Sequence, residues 1–259
     1  MDNLDNIKKK DSLGKKGFYL LPNLLTTSAL FAGFYSIVQA MNGAYDHAAL
    51  AIFVALIMDG LDGRVARLTN TQSEFGAEYD SLSDMVSFGV APALVIYVWA
   101  LQPLGKLGWI AAFIYCACAA FRLARFNVKL DIDSKQFFFG LPSPAAAALL
   151  ASFIWISFDN DISGNEIFLG FFQMQWFALI LTIFAALSMV TDIRYYSGKD
   201  INLRKSQPFI AILFIVLIFG VISHNPAEII FIAIMGYALS GYFMFFKKRL
   251  ISQSNKKND

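Results

Sequence analysis

Four aspartates lie within one 26-residue stretch of a largely apolar chain: Asp59, Asp62, Asp80 and Asp84. Ionised carboxylates are costly near a bilayer, so they are seldom left there without a cation, a partner or water. A cluster of hard oxygen ligands with no nearby histidine or cysteine favours Mg²⁺, Mn²⁺ or Ca²⁺ over zinc or copper. Two divalent ions that share carboxylates are suited to chemistry at phosphorus. We therefore predict a divalent metal site, with two ions, in this stretch.

The residues between the aspartates are suited to a phosphate-bearing ligand. Arg67 offers a bidentate donor for phosphate oxygens. Gly63 leaves space for a ligand to approach the backbone. In the alternative interpretation, the aspartates are solvated charges neutralised by Arg64, Arg67, Arg122 and Arg125. The spacing of the whole stretch favours a ligand site over that alternative.

Two helices must position these carboxylates. Asp59 and Asp62 are three residues apart and share one helix face, and Asp80 and Asp84, four apart, share a face of the next helix. We expect the two helices to form an antiparallel hairpin packed at about 8–10 Å, which would gather all four carboxylates. Small residues would permit that close approach: Gly60, Gly63 and Ala66.

The composition of the 259 residues is that of a membrane protein: 57% are hydrophobic, 15% are charged, and the mean hydropathy is +0.55. We predict an all-α, polytopic membrane bundle, because a spanning helix needs about 20 mostly apolar residues. About eight spans can be drawn, and the fifth and seventh are short. They cover residues 20–41, 47–68, 80–100, 107–126, 144–158, 167–190, 209–223 and 227–246.

The basic residues predict the orientation. With the N-terminus inside, only Lys106 of the 21 lysines and arginines falls in an outer loop. The positive-inside rule therefore places the aspartate stretch at the cytoplasmic face. Residues 1–19 and 247–259 are predicted to be cytoplasmic tails, and the first is not a signal peptide. A net charge of +2 does not indicate nucleic-acid binding.

The aspartate stretch also carries a recognisable signature. It reads Asp59-x-x-Asp62-Gly63-x-x-Ala66-Arg67, then eight residues, then Gly76-x-x-x-Asp80-x-x-x-Asp84. This pattern resembles the signature of the CDP-alcohol phosphotransferase family at every specified position. The resemblance implies an integral membrane enzyme that transfers a phosphatidyl group from a CDP-linked lipid to an alcohol and releases CMP.

The resemblance also implies roles for individual residues. Asp59, Asp62, Asp80 and Asp84 would bind a pair of Mg²⁺ or Mn²⁺ ions, and Asp84 would also be the catalytic base. The CDP-lipid would be contacted by Asn23, Thr26, Gly63, Ala66, Arg67 and Ser73. For Asn23 and Thr26, an ordinary helix cap is the alternative interpretation.

The aspartate signature does not identify the acceptor alcohol, which has to be inferred from less specific segments at the cytoplasmic ends of the helices. The segments around Arg122, Pro142 and Arg194 are similar to those of bacterial and archaeal phosphatidylserine synthases, which add two helices to a six-helix core. This implies CDP-diacylglycerol and L-serine as substrates, a core over 20–195, and an inner loop with two further helices over 196–246. It also implies a homodimer in the cell (inner) membrane.

Three arginines are candidates to bind the serine carboxylate: Arg122, Arg125 and Arg194. The alternative for Arg122 and Arg125 is that they extend to lipid headgroups, and that for Arg194 is an interfacial anchor. A sister enzyme using glycerol phosphate, inositol phosphate or choline also remains possible at this point. A cation transporter with an aspartate ion site is a more remote alternative.

Overall fold

The structure is a computed structural model that describes residues 2–129, 137–162, 164, 167–168, 172–196, 220 and 225–255. Helices dominate this part of the chain. They are α1 (Asp2–Met41), α2 (Tyr45–Thr69), α3 (Glu74–Asp84), α4 (Ala91–Ile96), α5 (Lys106–Lys129), α6 (Ser143–Asp159), α7 (Met174–Val190) and α8 (Pro226–Asn255). A π-helical segment, Met85–Val90, joins α3 to α4. A second π-helical segment, Tyr97–Leu101, and a 3₁₀ turn, Gln102–Leu104, continue this helical run after α4.

Within the described residues, four helical stretches are long and apolar enough to cross a membrane. They are Leu21–Met41, Glu74–Leu104, Lys106–Val128 and Pro226–Lys247. Helices α6 and α7 are apolar but shorter. The predicted membrane-spanning helical bundle is confirmed at this level, whereas the count of eight spans stays a prediction.

The predicted helix bounds hold for some spans and fail for others. The fifth span, 144–158, is α6 within one residue at each end. The sixth was predicted to begin at 167, but α7 begins at Met174, because residues 167–168 and 172–173 pair as strands. The seventh, 209–223, lies outside the described residues except for Gly220. The eighth was predicted to end at 246, whereas α8 continues to Asn255.

Two short antiparallel ladders depart from the all-α prediction. Strands β2 (Ile167–Phe168) and β3 (Phe172–Gln173) pair with each other. Strand β1 (Phe137–Phe139) pairs with β4 (Arg194–Tyr196), so the segments that follow α5 and α7 are joined. Aromatic residues favour extended backbone, and pairing satisfies the peptide groups of these connecting segments.

A proline explains the irregular helix that follows Asp84. Pro92 has no N–H to donate to the carbonyl of Phe88 four residues earlier, and its ring crowds that carbonyl. The backbone widens into the π-helical segment there. The fully buried Tyr115 of α5 donates its hydroxyl proton to the Phe88 carbonyl at 3.1 Å. This bond ties the run that carries Asp84 to α5.

Helix α1 connects the two aspartate-bearing helices. It packs along α2 and also against α3 and the π-helical segment after it. Ser83 donates to the carbonyl of Thr26 at 3.1 Å, and Ser87 donates to that of Ala29 at 3.0 Å. Gly33 makes this approach possible, because a Cβ there would lie 2.7 Å from the Ser87 Cα.

Candidate active site

Two residues at the turn between α2 and α3 determine how the chain reverses direction there. Asn70 ends α2 in the left-handed conformation, with φ of 52°. Asparagine tolerates that region better than most residues. Ser73 then caps α3, accepting a hydrogen bond from the Gly76 N–H at 3.0 Å. The chain therefore reverses within a few residues of Arg67 and returns with Asp80 and Asp84.

Three carboxylates meet where the sequence predicts a metal site. One oxygen from each of Asp59, Asp62 and Asp80 can be chosen so that all three lie within 4.8 Å of one another. Asp80 has a buried oxygen, Oδ1, with no hydrogen-bond partner among the residues that the structure describes. A buried polar atom without a partner needs an explanation. A divalent cation among these oxygens would supply one, so the donor set fits a hard metal ion.

Asp84 lies beside this group rather than within it. Asp84 interacts electrostatically with both Asp59 and Asp80. The four predicted residues therefore form one cluster, with Asp84 at its edge toward α5. This position suits a group that meets an incoming substrate.

A hydroxyl from α1 orients one of the three carboxylates. Thr26, which is 4% exposed, donates to the Asp62 Oδ2 at 2.6 Å. Asp62 is itself buried, with 4% of its surface exposed. Such a partner behind a carboxylate restricts its orientation. Thr26, which the sequence predicts to contact the nucleotide, is thus hydrogen-bonded to the carboxylate cluster.

The packing prediction for the glycines is wrong. Within the part of the chain that the structure describes, a Cβ on Gly60 or Gly63 would meet no atom within 4 Å. These glycines therefore do not serve a close contact between α2 and α3, both of which pack on α1 instead. Open space over Gly63 agrees with the other predicted use of this residue, the approach of a ligand.

The other predicted CDP-lipid residues fall into two groups, one on α2 beside Gly63 and one where α1 meets the start of α3. Arg67 is exposed, and its Nε donates to the Gly63 carbonyl at 2.8 Å. Ala66 is partly buried on the same helix. A Cβ on Gly76 would lie 3.1 Å from the Ser73 Oγ and 3.5 Å from the Asn23 Oδ1. Asn23 and Ser73 therefore lie near each other, where α1 meets the start of α3.

The three candidate arginines lie in different surroundings. Arg122 interacts electrostatically with Asp84 and Asp59, and its Nη1 donates to the Ser143 hydroxyl at 2.7 Å. Arg125 instead forms an ion pair with the exposed Asp192. The backbone of Arg194 lies in β4 opposite Phe139, and its side chain is outside the described part of the structure. Arg122 is therefore the candidate that the structure brings to the aspartates.

Two neighbours of Arg122 were not singled out as site residues. Ser143 lies in a segment that the sequence marked only as a whole, and its bond to Arg122 joins α6 to α5. Tyr237 of α8 interacts electrostatically with Arg122 although 115 residues separate them. A lone tyrosine in an apolar helix carries no signal of that interaction. Only the fold reveals it.

Comparison with known proteins agrees with the site. The family model for CDP-alcohol phosphatidyltransferase matches residues 19–184. The chain is 35% identical over 245 residues to the CDP-diacylglycerol–serine O-phosphatidyltransferase of Helicobacter pylori, covering 92% of this chain and 97% of that protein. It is 43% identical over 144 residues to the protein of that name from Methanocaldococcus jannaschii, covering 56% and 61%.

An archaetidylserine synthase from Methanothermobacter thermautotrophicus is 37% identical over 155 residues, covering 59% of this chain and 65% of that protein. The family match includes all four aspartates, Arg67 and Arg122. The membrane-helical fold, the carboxylate cluster and these similarities all indicate the same family. The chain belongs to the CDP-alcohol phosphatidyltransferase family.

Proposed function

We propose that this protein is a CDP-diacylglycerol:L-serine O-phosphatidyltransferase, which forms phosphatidylserine and CMP. Similarity over almost the whole length to a relative of that name supports the serine assignment. The structural observation that carries it is the position of Arg122, which interacts with Asp84 and Asp59. A guanidinium beside the catalytic carboxylates is suited to bind a substrate carboxylate.

The reaction begins with the hydroxyl group of serine. An alcohol is a weak nucleophile at neutral pH, so a base beside it assists the attack. Asp84, at the edge of the cluster, accepts the hydroxyl proton. The serine oxygen forms a bond to the lipid-side phosphorus as the bond from that phosphorus to the CMP oxygen breaks. We propose a direct displacement, in which no protein side chain is phosphatidylated.

The metal ligands would be Asp59, Asp62, Asp80 and Asp84. Clustered oxygens and the unpartnered Asp80 Oδ1 support this assignment. We propose Mg²⁺ or Mn²⁺, with two ions, because hard oxygen donors suit them. When bound, the ions would supply positive charge to the diphosphate. The chain's own contribution is to hold the ligands, and Thr26 does so for Asp62.

The CDP-lipid would lie over the open side of α2. Space above Gly63 and the exposed Arg67 support a diphosphate there. Asn23 and Ser73 mark the end of the site where α1 meets α3. The small side chain of Ala66 would leave room for the ligand on this side of α2. Thr26 would act mainly through Asp62.

The acceptor would bind between Asp84 and Arg122. Its hydroxyl would face Asp84, and its carboxylate would face Arg122. Arg125, paired with Asp192, would instead support the loop that contains β4. We further propose that the enzyme works at the cytoplasmic face of the inner membrane, as the distribution of basic residues predicts, and as a homodimer in the membrane.

Purified protein tests the assignment directly. It would be incubated in lipid nanodiscs with CDP-diacylglycerol, Mg²⁺ and one alcohol at a time: L-serine, glycerol 3-phosphate, inositol phosphate or choline. We expect CMP release with L-serine, with phosphatidylserine as the lipid product. Release with another alcohol but not with serine would refute the serine assignment and leave the family assignment intact.

A further inference from the structure

Two hydrogen bonds between helices determine the level of Arg122 along the candidate site. Tyr115 of α5 donates its hydroxyl proton to the Phe88 carbonyl at 3.1 Å. Nearer the end of α5, the side-chain amide of Asn127 donates to the Ser81 hydroxyl of α3 at 3.0 Å. The two pairs occur in opposite order along the chain, so α5 is antiparallel to the helical run that contains α3. Arg122 therefore lies level with the residues between Ser81 and Phe88.

Arg122 also lies on the face of α5 that meets this run. Tyr115, Ala119 and Arg122 follow one another at intervals of four and three residues, so they share one helix face. Ala119 packs against the run, since a Cβ on Gly89 would lie 3.3 Å from the Ala119 Cβ. Both the level and the face therefore direct Arg122 toward the turn that contains Asp84, at the acceptor end of the candidate site.

The hydroxyl of Ser143 is a fixed partner for this arginine. Ser143 is the first residue of α6, it is fully buried, and it accepts a hydrogen bond from the Arg122 Nη1 at 2.7 Å. The Leu141 N–H donates to the Ser188 carbonyl of α7 at 2.8 Å, so the start of α6 is tied to the end of α7. A side chain at Gly140, whose φ is 77°, would collide with that end of α7. The backbone around Ser143 therefore holds its hydroxyl in place.

A fixed partner restricts the arginine without using all of its donors. A free arginine side chain has many rotamers, and the rotamer freedom lost on binding a ligand weakens that binding. Ser143 accepts from one of the five N–H groups of the guanidinium. The Phe126 ring, with its centroid 6.0 Å from the Arg122 Cζ, supports the same group by a cation–π contact. Arg122 is thus oriented before a ligand arrives and keeps donors for a carboxylate.

We propose that Ser143 is a positioning residue for acceptor recognition, because its hydroxyl holds the Arg122 guanidinium near Asp84. The acceptor class that this arrangement favours is a small amino acid with a primary hydroxyl and a free carboxylate. The inference rests on the proposed function. It adds that recognition of the alcohol depends on the start of α6, which the aspartate signature does not include.

The test removes the Ser143 hydroxyl and measures the KM for each substrate separately. We expect Ser143→Ala to raise the KM for L-serine about tenfold, the scale of a hydrogen bond to a charged group. The KM for CDP-diacylglycerol should change less than about twofold. Ser143→Cys nearly keeps the size of the side chain but offers only a weak acceptor, so it should show most of the same increase.

Ser152→Ala is the matched control. Ser152 is equally buried in α6, but its hydroxyl donates to the Leu149 carbonyl of the same helix at 3.1 Å. Its removal should leave both KM values within about twofold of those of the unmodified protein. Thermal midpoints are measured for every variant, so that a loss of packing in α6 is recognised separately from a change in substrate binding.

A second measurement shows whether the effect passes through Arg122. Arg122→Met keeps much of the length of the side chain and has no donor for the Ser143 oxygen. In that background, Ser143→Ala should change kcat/KM for serine less than about twofold, because two residues that act together are not additive. The value is taken from CMP release at subsaturating serine, which remains measurable when the KM is high. A further tenfold loss would show that Ser143 acts without the arginine and would refute its positioning role.

The outcomes separate this inference from the proposed function. Serine-dependent CMP release by the unmodified protein tests the function alone. If that release occurs but Ser143→Ala matches Ser152→Ala in the KM for serine, the positioning role is refuted. Equal increases in the KM for both substrates would also refute it, since they indicate a general packing role.

Discussion

The hydrogen bond from Thr26 to Asp62 allows a quantitative test of the metal site. Thr26→Val keeps the size and branching of the side chain and removes the hydroxyl proton that Thr26 donates to Asp62 at 2.6 Å. Hydrogen bonds to charged groups contribute about 1.5–3 kcal/mol, and about 1.4 kcal/mol corresponds to a tenfold change in affinity. Loss of partners behind metal ligands typically costs about 10–100-fold in affinity. We therefore expect the half-saturating Mg²⁺ concentration to rise by about 10–100-fold.

Thr27→Val is the matched control for that experiment. Its hydroxyl lies 2.9 Å from the Tyr79 hydroxyl on the exposed side of α1, one position along the same helix. CMP release would be measured at saturating CDP-diacylglycerol and serine while Mg²⁺ is varied. Thr26→Val should recover most of its rate at high Mg²⁺, whereas Thr27→Val should follow the unmodified enzyme. The same half-saturating concentration in all three proteins would show that Thr26 does not support the metal site.

Further predictions concern the base, the second arginine, a helix contact and the metal. Asp84→Asn should lower turnover by about 10²–10⁴-fold, the usual contribution of a general base, while CDP-lipid binding measured by equilibrium dialysis persists; near-normal turnover would exclude the base role. Arg125→Gln should leave the KM for serine within about twofold, because the ion pair it loses is exposed. Gly33→Val should lower the thermal midpoint in nanodiscs, because its Cβ would meet Ser87, and an unchanged midpoint would contradict that contact. EDTA should abolish CMP release, with recovery on addition of Mg²⁺ or Mn²⁺ but not of Ca²⁺ alone.

The carboxylate cluster was predictable because its geometry is local. Spacings of three and four residues place side chains on one helix face, whatever surrounds the helix. The prediction that α2 and α3 pack on each other failed for a non-local reason. Helix α1 binds both of them instead. The Thr26 hydroxyl of α1 donates to Asp62 of α2, and the Thr26 carbonyl accepts from Ser83 of α3. Hydrogen bonds across such sequence separations leave no periodic pattern.

The choice among three arginines was likewise not open to sequence reasoning. Arg122 and Arg125 are three residues apart on one side of the same helix, so the sequence does not distinguish them. Their roles diverge only because Asp192 approaches Arg125, whereas Ser143 approaches Arg122. Pairing of β1 with β4 determines where Asp192 lies. These three-residue strands are shorter than any pattern of alternation that would have predicted them.

Different parts of the chain supply the two ends of the proposed site. The aspartates and Arg67 lie in the signature on α2 and α3, whereas Arg122 lies on α5, outside the signature. The aspartate signature specifies the donor chemistry and leaves the acceptor open. An acceptor site whose arginine is held by Ser143 of α6 can change its preferred alcohol by substitution in α5 or α6, with no change at the aspartates. On this proposal, variants that alter acceptor choice should be sought around Arg122 and Ser143, which are joined by a hydrogen bond, rather than in the signature.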